Sequence, residues 1–452
     1  MKKYCLALAI LIVIASLLLP VPEGLSRQGF IMLAILAMAV ILWLTEAIPL
    51  AATGLLIMAL QPLLGIADAK EVFSNFGNRA VFFILASFMM VAAIEKYDLH
   101  KKMAVKLLKA FGYSPKKFIL GVMLTGCLLS FIMQGHGVAA ILLPILLQIL
   151  IIMKVVPKES NFGVATMLSL TYGTSIGSWG TLLGGARNPL TIAFLDGIGY
   201  NITFLDWIKI NMPIVFITLP IVTALILFLF PPEVESIRNA VKEIERSVEK
   251  KMSKEAKGVF VVLIATIVLW ILFSDSIGVA VIALMAIATL FIFGLIEWED
   301  VERRVQWGII LVYGGAITMG KSLEATQAAQ WIANGMLSIF KNEYAILACI
   351  IFLTFILTNL MSNTAAVATM LPISISVANE AGISPVIAAM TTAITGGVAF
   401  VFVVATPSMA IAYSSGYLKQ HQMFKAGLIA GAICIAIIFL MAIFYWEMLL
   451  GL

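Results

Sequence analysis

Two apolar stretches, residues 118–153 and 344–378, are each too long for a single membrane helix. A bilayer core of ~30 Å is crossed by ~20 helical residues. Each stretch is interrupted at its centre by a polar triplet, and neither has a charged loop there. The interruptions read "MQGHGVAAILLPI" from Met133 to Ile145 and "MSNTAAVATMLPI" from Met361 to Ile373. The frames match, with Met at the start and Leu-Pro-Ile at the end, while Gln134-Gly135-His136 stands where the second copy has Ser362-Asn363-Thr364. This pattern predicts two re-entrant helical hairpins whose non-helical tips hold the polar residues partway across the membrane. Irregular backbone at that depth persists only where it is buried in protein or lines a wet cavity.

The rest of the chain agrees with a membrane setting. Of its 452 residues, 62% are hydrophobic and 12% charged, about half the charge of a soluble domain. Eleven further spans are expected at 4–19, 29–47, 50–64, 79–95, 161–181, 190–196 with 211–230, 258–274, 278–296, 305–320, 385–404 and 425–447. The opening "MKKYCLALAILIVIASLLLPVPEG" lacks a small-x-small cleavage site and reads as a retained first helix over residues 1–28. The net charge of +5 reflects Lys and Arg gathered in a few loops, and it suggests no nucleic-acid role. Placing Lys2, Lys3, the 96–117 cluster, Lys154, Lys158 and 233–257 in the cytoplasm makes Asp68, Asp196, Asp206 and Asp275 external. The N-terminus is then cytoplasmic and the C-terminus external, in a multi-pass plasma-membrane protein.

The chain reads as two repeats, 29–232 and 258–452, joined by the polar stretch 233–257. In that linker Ile237, Val241, Ile244 and Val248 recur at helical spacing, which predicts an amphipathic cytoplasmic helix. "IEKYDLHKKMA" (Ile94 to Ala104) parallels "LEATQAAQWIA" (Leu323 to Ala333) at nearly the offset of the two triplets. An odd number of crossings separates the copies, so they face opposite ways. Inverted repeats with broken helices mark secondary transporters, with the binding site at the midplane between the halves. The expected fold class is thus an all-α polytopic membrane protein of two inverted repeats.

Four polar constellations carry the chemistry. At the second tip, Thr358, Ser362, Asn363 and Thr364 offer oxygens to Na⁺ and N–H or O–H groups to a carboxylate. Opposite, Thr406-Pro407 breaks an apolar helix expected over 385–415, because Pro407 has no backbone donor. In the first half, Ser130 stands four residues before Gln134, as Thr358 stands before Ser362. The first broken helix, expected over 161–196, includes "TYGTSIGSWGTLLGGARNPL" with Ser175, Gly177, Gly180, Thr181, Gly184 and Gly185. Arg187 follows, a charge inside a membrane stretch and hence a functional candidate. The alternative for Arg187 is a place near the external surface, paired with Asp196 or a lipid headgroup.

Other classes fit less well. Cys5, Cys127, Cys349 and Cys434 sit far apart in apolar stretches, which suits neither a disulfide nor a metal. His100, His136 and His421 form no H-E-x-x-H pair, and no G-x-x-x-x-G-K-[ST] motif is present. A membrane enzyme would need a metal pair, a Ser-His dyad or paired carboxylates. The clearest acid in an apolar run is Glu46, alone at a helix end beside Pro49.

At these residues the chain resembles the divalent anion:sodium symporter family, carriers of di- and tricarboxylates and, in some members, sulfate. "WLTEAIPLAATGLL", "VFSNFGNRAVFFIL", "IEKYDLHKKMA", "WGIILVYGGAITMGKSLE" and "ATPSMAIAYSSGYLKQ" carry the resemblance along nearly the whole chain. It implies eleven spans with two hairpins, a homodimer and elevator-type alternating access. By position it implies a second Na⁺ site at Thr358, Ser362, Asn363 and backbone near Ala405. The remnant of a first site would be Ser130, Gln134, Gly135, Ser175, Gly177 and Gly180. Substrate would touch Asn363, Thr364, Thr406 and Pro407 on one side, and His136, Arg187 and Thr181 on the other. The chain departs from the family at Gly135, which has no side-chain oxygen, at His136, and at Ser408-Met409, where Pro-Asn is usual.

The expected cargo is a small divalent organic anion, a C4-dicarboxylate such as succinate, malate or fumarate. A positive charge at Arg187 or His136 would stand in for the lost Na⁺. Coupling is then expected through one Na⁺, through H⁺, or by anion exchange, with no covalent cofactor. Sulfate, arsenite or Na⁺/H⁺ exchange are the alternatives on the same plan.

Overall fold

The computed structural model describes residues 2–111, 113–247 and 252–450. Helices follow one another along these residues, with no strand among them. Six helices are long and apolar enough to cross a membrane, among them Arg27–Thr45, Phe204–Leu229, Lys254–Ile277 and Gln420–Leu450. The bent pair Ala69–Gly77 and Arg79–Lys96 makes a seventh if counted as one span. Gly135–Ile152 and Glu343–Leu360, two of the six, each pair with a neighbouring helix in a helical hairpin.

The order of elements repeats. The series Arg27–Thr45, Leu50–Leu63, Arg79–Lys96, Leu99–Ala110 leads to the first hairpin, Pro115–Leu129 with Gly135–Ile152. The series Lys254–Ile277, Val279–Ile292, Trp307–Ala325, Ala328–Ile339 leads to the second, Glu343–Leu360 with Asn363–Ala381. A broken helix follows each: Asn161–Gly177 with Arg187–Gly197, then Pro385–Thr395 with Pro407–Ser414. A long apolar helix closes each series, Phe204–Leu229 and Gln420–Leu440. The match reaches single residues. Asp98 and Gln327 precede the corresponding helices Leu99–Ala110 and Ala328–Ile339, and both are left-handed, with φ of 50° and 58°. A non-glycine residue seldom adopts that conformation.

Local chemistry sets where the helices stop. The expected span joining 190–196 to 211–230 is two separate helices, because Thr203 and Asp206 form a reciprocal capping box that begins a new helix at Phe204. The helix expected over 385–404 ends earlier, at Thr395. There, Thr358 donates to the Gly396 carbonyl at 2.6 Å, and Asn359 donates to Val398 and accepts from the Val401 N–H. The second hairpin thus satisfies backbone that the unwound stretch leaves open. In the first half Asn188 does the corresponding work, donating to the carbonyls of Ser178 and Thr181 at 2.8 and 2.7 Å.

Close helix approach relies on glycine. A Cβ at Gly173 or Gly177 would lie 2.4 Å from the Met123 or Cys127 carbonyl oxygen, so helix Asn161–Gly177 lies backbone to backbone on Pro115–Leu129. The linker helix Arg238–Ser247 packs on the hairpin helix Gly135–Ile152, burying Val241. Ile237, just before it, is also buried. Val248, the fourth residue of the expected apolar stripe, lies outside the described residues.

Candidate anion site between the hairpin tips

A cavity of about 420 Å³ lies where the two tips and the two helix breaks meet. That size is within the ~300–1,000 Å³ of small-molecule sites. The first tip contributes Gln134, Gly135 and His136, and the second Ser362, Asn363 and Thr364. The first break adds Ser175, Ser178 and Arg187, and the second Thr406, Pro407 and Ser408.

Five helices begin on this cavity. Their N-terminal caps include Gln134, Ala186, Ser362 and Thr406, all of which line it, and Gln306, before Trp307–Ala325, is a fifth. Each helix start presents unpaired N–H groups and the positive end of the helix dipole. The two tips have nearly the same backbone, with φ and ψ of −64° and 140° at Gln134 and −60° and 142° at Ser362. Their side chains act differently. Ser362 accepts from the Ala365 N–H, and Thr406 likewise from Met409, whereas Gln134 makes no capping bond and its Nε2 is buried without a partner.

Arg187 supplies a full charge. It is 3% exposed, donates from Nε to the Ala393 carbonyl at 2.9 Å, and from Nη2 to the Ser178 hydroxyl at 2.8 Å. Among the described residues no carboxylate pairs with it, and no Asp or Glu lines the cavity. The alternative pairing with Asp196 is overturned. Asp196 is bound by Arg79, and it lies nine residues along the same helix, about 13 Å at 1.5 Å per residue. The Arg187 guanidinium rests against Gly185 and Gly397, where an added Cβ would lie 2.6 and 2.4 Å from its nitrogens.

Of the oxygens expected for a cation at the second tip, those of Thr358 and Asn363 come together, with the Gly396 carbonyl in addition, while Ser362 Oγ accepts from the Ala365 N–H. Thr358 Oγ1 lies 3.1 Å from Asn363 Oδ1 and 2.6 Å from the Gly396 oxygen, three hard donors of the kind a small cation takes. Ala405 is buried in the turn before Thr406, outside the cavity lining. At the first tip, Gly135 has no side-chain oxygen to offer, and a Cβ there would sit 3.0 Å from the Thr174 carbonyl oxygen. Ser130 Oγ is buried and unpartnered. Gly177 and Gly180 lie outside the lining and pack on Cys127 and Phe131. Thr181, expected to touch substrate, instead donates to the Phe131 carbonyl at 2.7 Å and ties the tip to the break.

Sequence reasoning missed Gln306, Thr174 and Ser178, which also line the cavity. Gln306 precedes helix Trp307–Ala325, and its amide nitrogen contacts His136 Nε2. The tautomer of His136 therefore depends on which amide atom faces it.

The whole chain, residues 1–452, matches the family described as the sodium:sulfate symporter transmembrane region. It is 27% identical over 486 residues to the sodium-dependent dicarboxylate transporter SdcS of Staphylococcus saprophyticus, covering 99% of this chain and 92% of that one. It is 27% identical over 432 residues to an uncharacterized transporter of Haemophilus influenzae, covering 92% and 91%. The fold is similar to that of MtrF from Neisseria gonorrhoeae, with TM-score 0.60, 14% identity and 94% and 96% coverage. It is also similar to the YdaH transporter of Alcanivorax borkumensis, with TM-score 0.58, 13% identity and 85% and 90% coverage.

Proposed function

The chain belongs to the sodium:sulfate symporter family, and on that premise we propose that it is a secondary transporter of small divalent organic anions, C4-dicarboxylates such as succinate, malate and fumarate. One observation carries the reading: five helix N-termini and the Arg187 guanidinium face a single cavity with no acid in its lining. Helix starts and a forked guanidinium are suited to carboxylates. The sodium-dependent dicarboxylate activity in the name of the Staphylococcus relatives supports this cargo.

The coupling follows from charge. A dicarboxylate carries two negative charges, and Arg187 offsets one of them. Thr358, Asn363 and the Gly396 oxygen are suited to one Na⁺, which would offset the other. The first tip offers no equivalent set, so one Na⁺ per anion is expected. A second reading, anion exchange without Na⁺, is favoured by one contact: Arg187 lies against Gly397, one residue from the Gly396 oxygen. A fixed charge so near opposes a second cation. H⁺ coupling through His136 is the third mode, and sulfate or arsenite the alternative cargo.

In the bilayer we place the chain as a homodimer with eleven crossings, a cytoplasmic N-terminus and an external C-terminus. The two repeats are inverted, and the site moves by an elevator-type step. Uptake of labelled succinate into proteoliposomes tests the function. Uptake driven by a Na⁺ gradient supports symport, and Na⁺-independent uptake driven by internal dicarboxylate supports exchange. Absence of both, with uptake of labelled sulfate, overturns the dicarboxylate assignment.

A further inference from the structure

The helices Leu99–Ala110 and Ala328–Ile339 hold the same place in the two repeats, each entered through a left-handed residue and each followed by a hairpin. Their charges differ. From Leu99 to Lys117 there are six lysines, at 101, 102, 106, 109, 116 and 117, and no acid. The matching stretch, Ala328 to Ile346, has one lysine and one acid, Lys341 and Glu343. The orientation proposed above puts the basic copy on the cytoplasmic side, as the charge rule favours. That rule sets the side, but not the single face on which folding gathers the charges.

Lys102, Lys106 and Lys109 are spaced four and three residues apart and share one face of their helix. The opposite face, with His100, Ala104 and Leu108, is buried. The chain then turns at Tyr113 and begins the first hairpin, whose first turn adds the exposed Lys116 and Lys117. No acid stands in that turn, so these charges add to the positive end of the helix dipole. The linker brings Arg238 to the same place. The Ile237 N–H donates to the Tyr113 carbonyl at 3.1 Å, and the Arg238 guanidinium lies 5.1 Å from the centre of the Tyr113 ring. Among the described residues, Lys106, Lys116, Lys117 and Arg238 have no carboxylate partner.

The same helix touches the hairpin on its apolar side. Val105 and Leu108 share one small void with Phe118 and Ile149 of the two hairpin helices and with Val241 of the linker. Helix Gly135–Ile152, which carries Ile149, starts at the tip that lines the anion cavity.

We infer that this basic face docks the phosphate headgroups of anionic lipids in the cytoplasmic leaflet, and that bound lipid braces the first hairpin. Leu99–Ala110 follows the apolar helix Arg79–Lys96 through Tyr97 and Asp98 alone, so it begins at the depth of the headgroups. Clusters of about four to eight basic residues beside a span or on an amphipathic helix are suited to such lipids. A phosphate supplies the counter-charge that the chain itself lacks there. The inference rests on the proposed orientation and not on the cargo.

The test uses the purified full-length protein in a neutral detergent and K⁺ buffer, titrated with phosphatidylglycerol or with phosphatidylcholine. Phosphatidylglycerol should raise the melting temperature by about 3 °C or more and phosphatidylcholine should not, because a bound ligand stabilises by mass action. Raising the K⁺ concentration should shrink the shift by screening. The triple variant Lys106→Gln, Lys116→Gln and Lys117→Gln should lose most of it. Arginine at the same three positions should keep it, and so should Lys341→Gln in the matching outer stretch. Equal responses to the two lipids, or an undiminished response in the glutamine variant, overturn the docking site. The lipid and salt comparisons need only the parent, so they decide even where the glutamine variant does not fold. The same shift with soluble glycerol phosphate would make the occupant a free anion and overturn the lipid. Amide hydrogen exchange reads the brace: residues 115–152 should exchange more slowly with phosphatidylglycerol in the parent and not in the glutamine variant. Unchanged exchange in the parent would overturn the brace.

Discussion

Arg187 Nε donates to the Ala393 carbonyl oxygen at 2.9 Å, a bond between the first broken helix and the second that spans 206 residues of sequence. Ala393 lies in the last turn of helix Pro385–Thr395, where carbonyls lack helical partners and the dipole is negative. Arg187 therefore ties the two breaks together while its charge stays beside the cavity.

Replacing the guanidinium tests that double role. Arg187→Lys keeps the charge but loses the planar fork. Dicarboxylate affinity should fall by about 2 kcal/mol, roughly thirtyfold in Kd. Arg187→Gln should abolish binding. Titration calorimetry on purified protein measures both, and unchanged affinity in either variant would exclude Arg187 from the site.

Sodium should act through the second tip. Na⁺, compared with K⁺, should raise the melting temperature of the parent with a single-site dependence, because a ligand stabilises by mass action. Thr358→Val and Asn363→Ala should each remove that response. A strongly cooperative Na⁺ dependence in the parent would contradict a one-ion carrier.

Gln306 should matter although it lies 170 residues from its partner His136. Gln306→Leu leaves the cavity-lining His136 imidazole unanchored, and succinate Kd should rise about tenfold, the value of one hydrogen bond. His136→Asn should give a similar loss, and the double variant little more than either alone, as expected for coupled residues. Fully additive losses would show that the two act separately.

Gly397 should tolerate no side chain. A Cβ there would lie 2.3 Å from Trp179 Nε1 and 2.4 Å from Arg187 Nη2. Gly397→Ala should cost about 1–3 kcal/mol of stability by overpacking and weaken anion binding by moving the guanidinium. Thermal unfolding with and without succinate reads both effects.

His100 should make stability depend on pH. It opens the short helix Leu99–Ala110 and is 3% exposed, and its Nδ1 is buried without a partner. Burial holds its pKa down to about 4, although the Asp98 carboxylate 3.8 Å away favours the charged form. In the unfolded chain the group titrates near ~6.5. As pH falls from about 6.5 towards about 4, the unfolded state gains a proton that the folded state refuses, so stability declines across that window and levels off below it. His100→Asn should flatten this part of the pH profile relative to the parent.

The hairpins and breaks were legible because their signal is local. A polar triplet in an apolar run, or Thr406-Pro407 in another, interrupts a pattern that the eye or a count can follow. The partners were not legible, because they come from far along the chain. Sequence offered Asp196 to Arg187 for its nearness, whereas folding gives Asp196 to Arg79 and Arg187 to Ala393 and Ser178. Gly177 could serve ligand approach or helix approach from sequence alone, and the Cys127 backbone takes it for the second. The early end of the second broken helix at Thr395 was hidden for the same reason, since Thr358 and Asn359 supply the bonds that stabilise the unwound stretch.

The shared backbone of the two tips has an evolutionary consequence. Gln134 and Ser362 begin their helices at nearly the same angles with quite different side chains. The frame of the doubled fold therefore does not depend on which side chains its tips carry. A lineage carrying this frame can alter the chemistry of one tip by changing a few letters, while the other tip and the course of the backbone stay as they were.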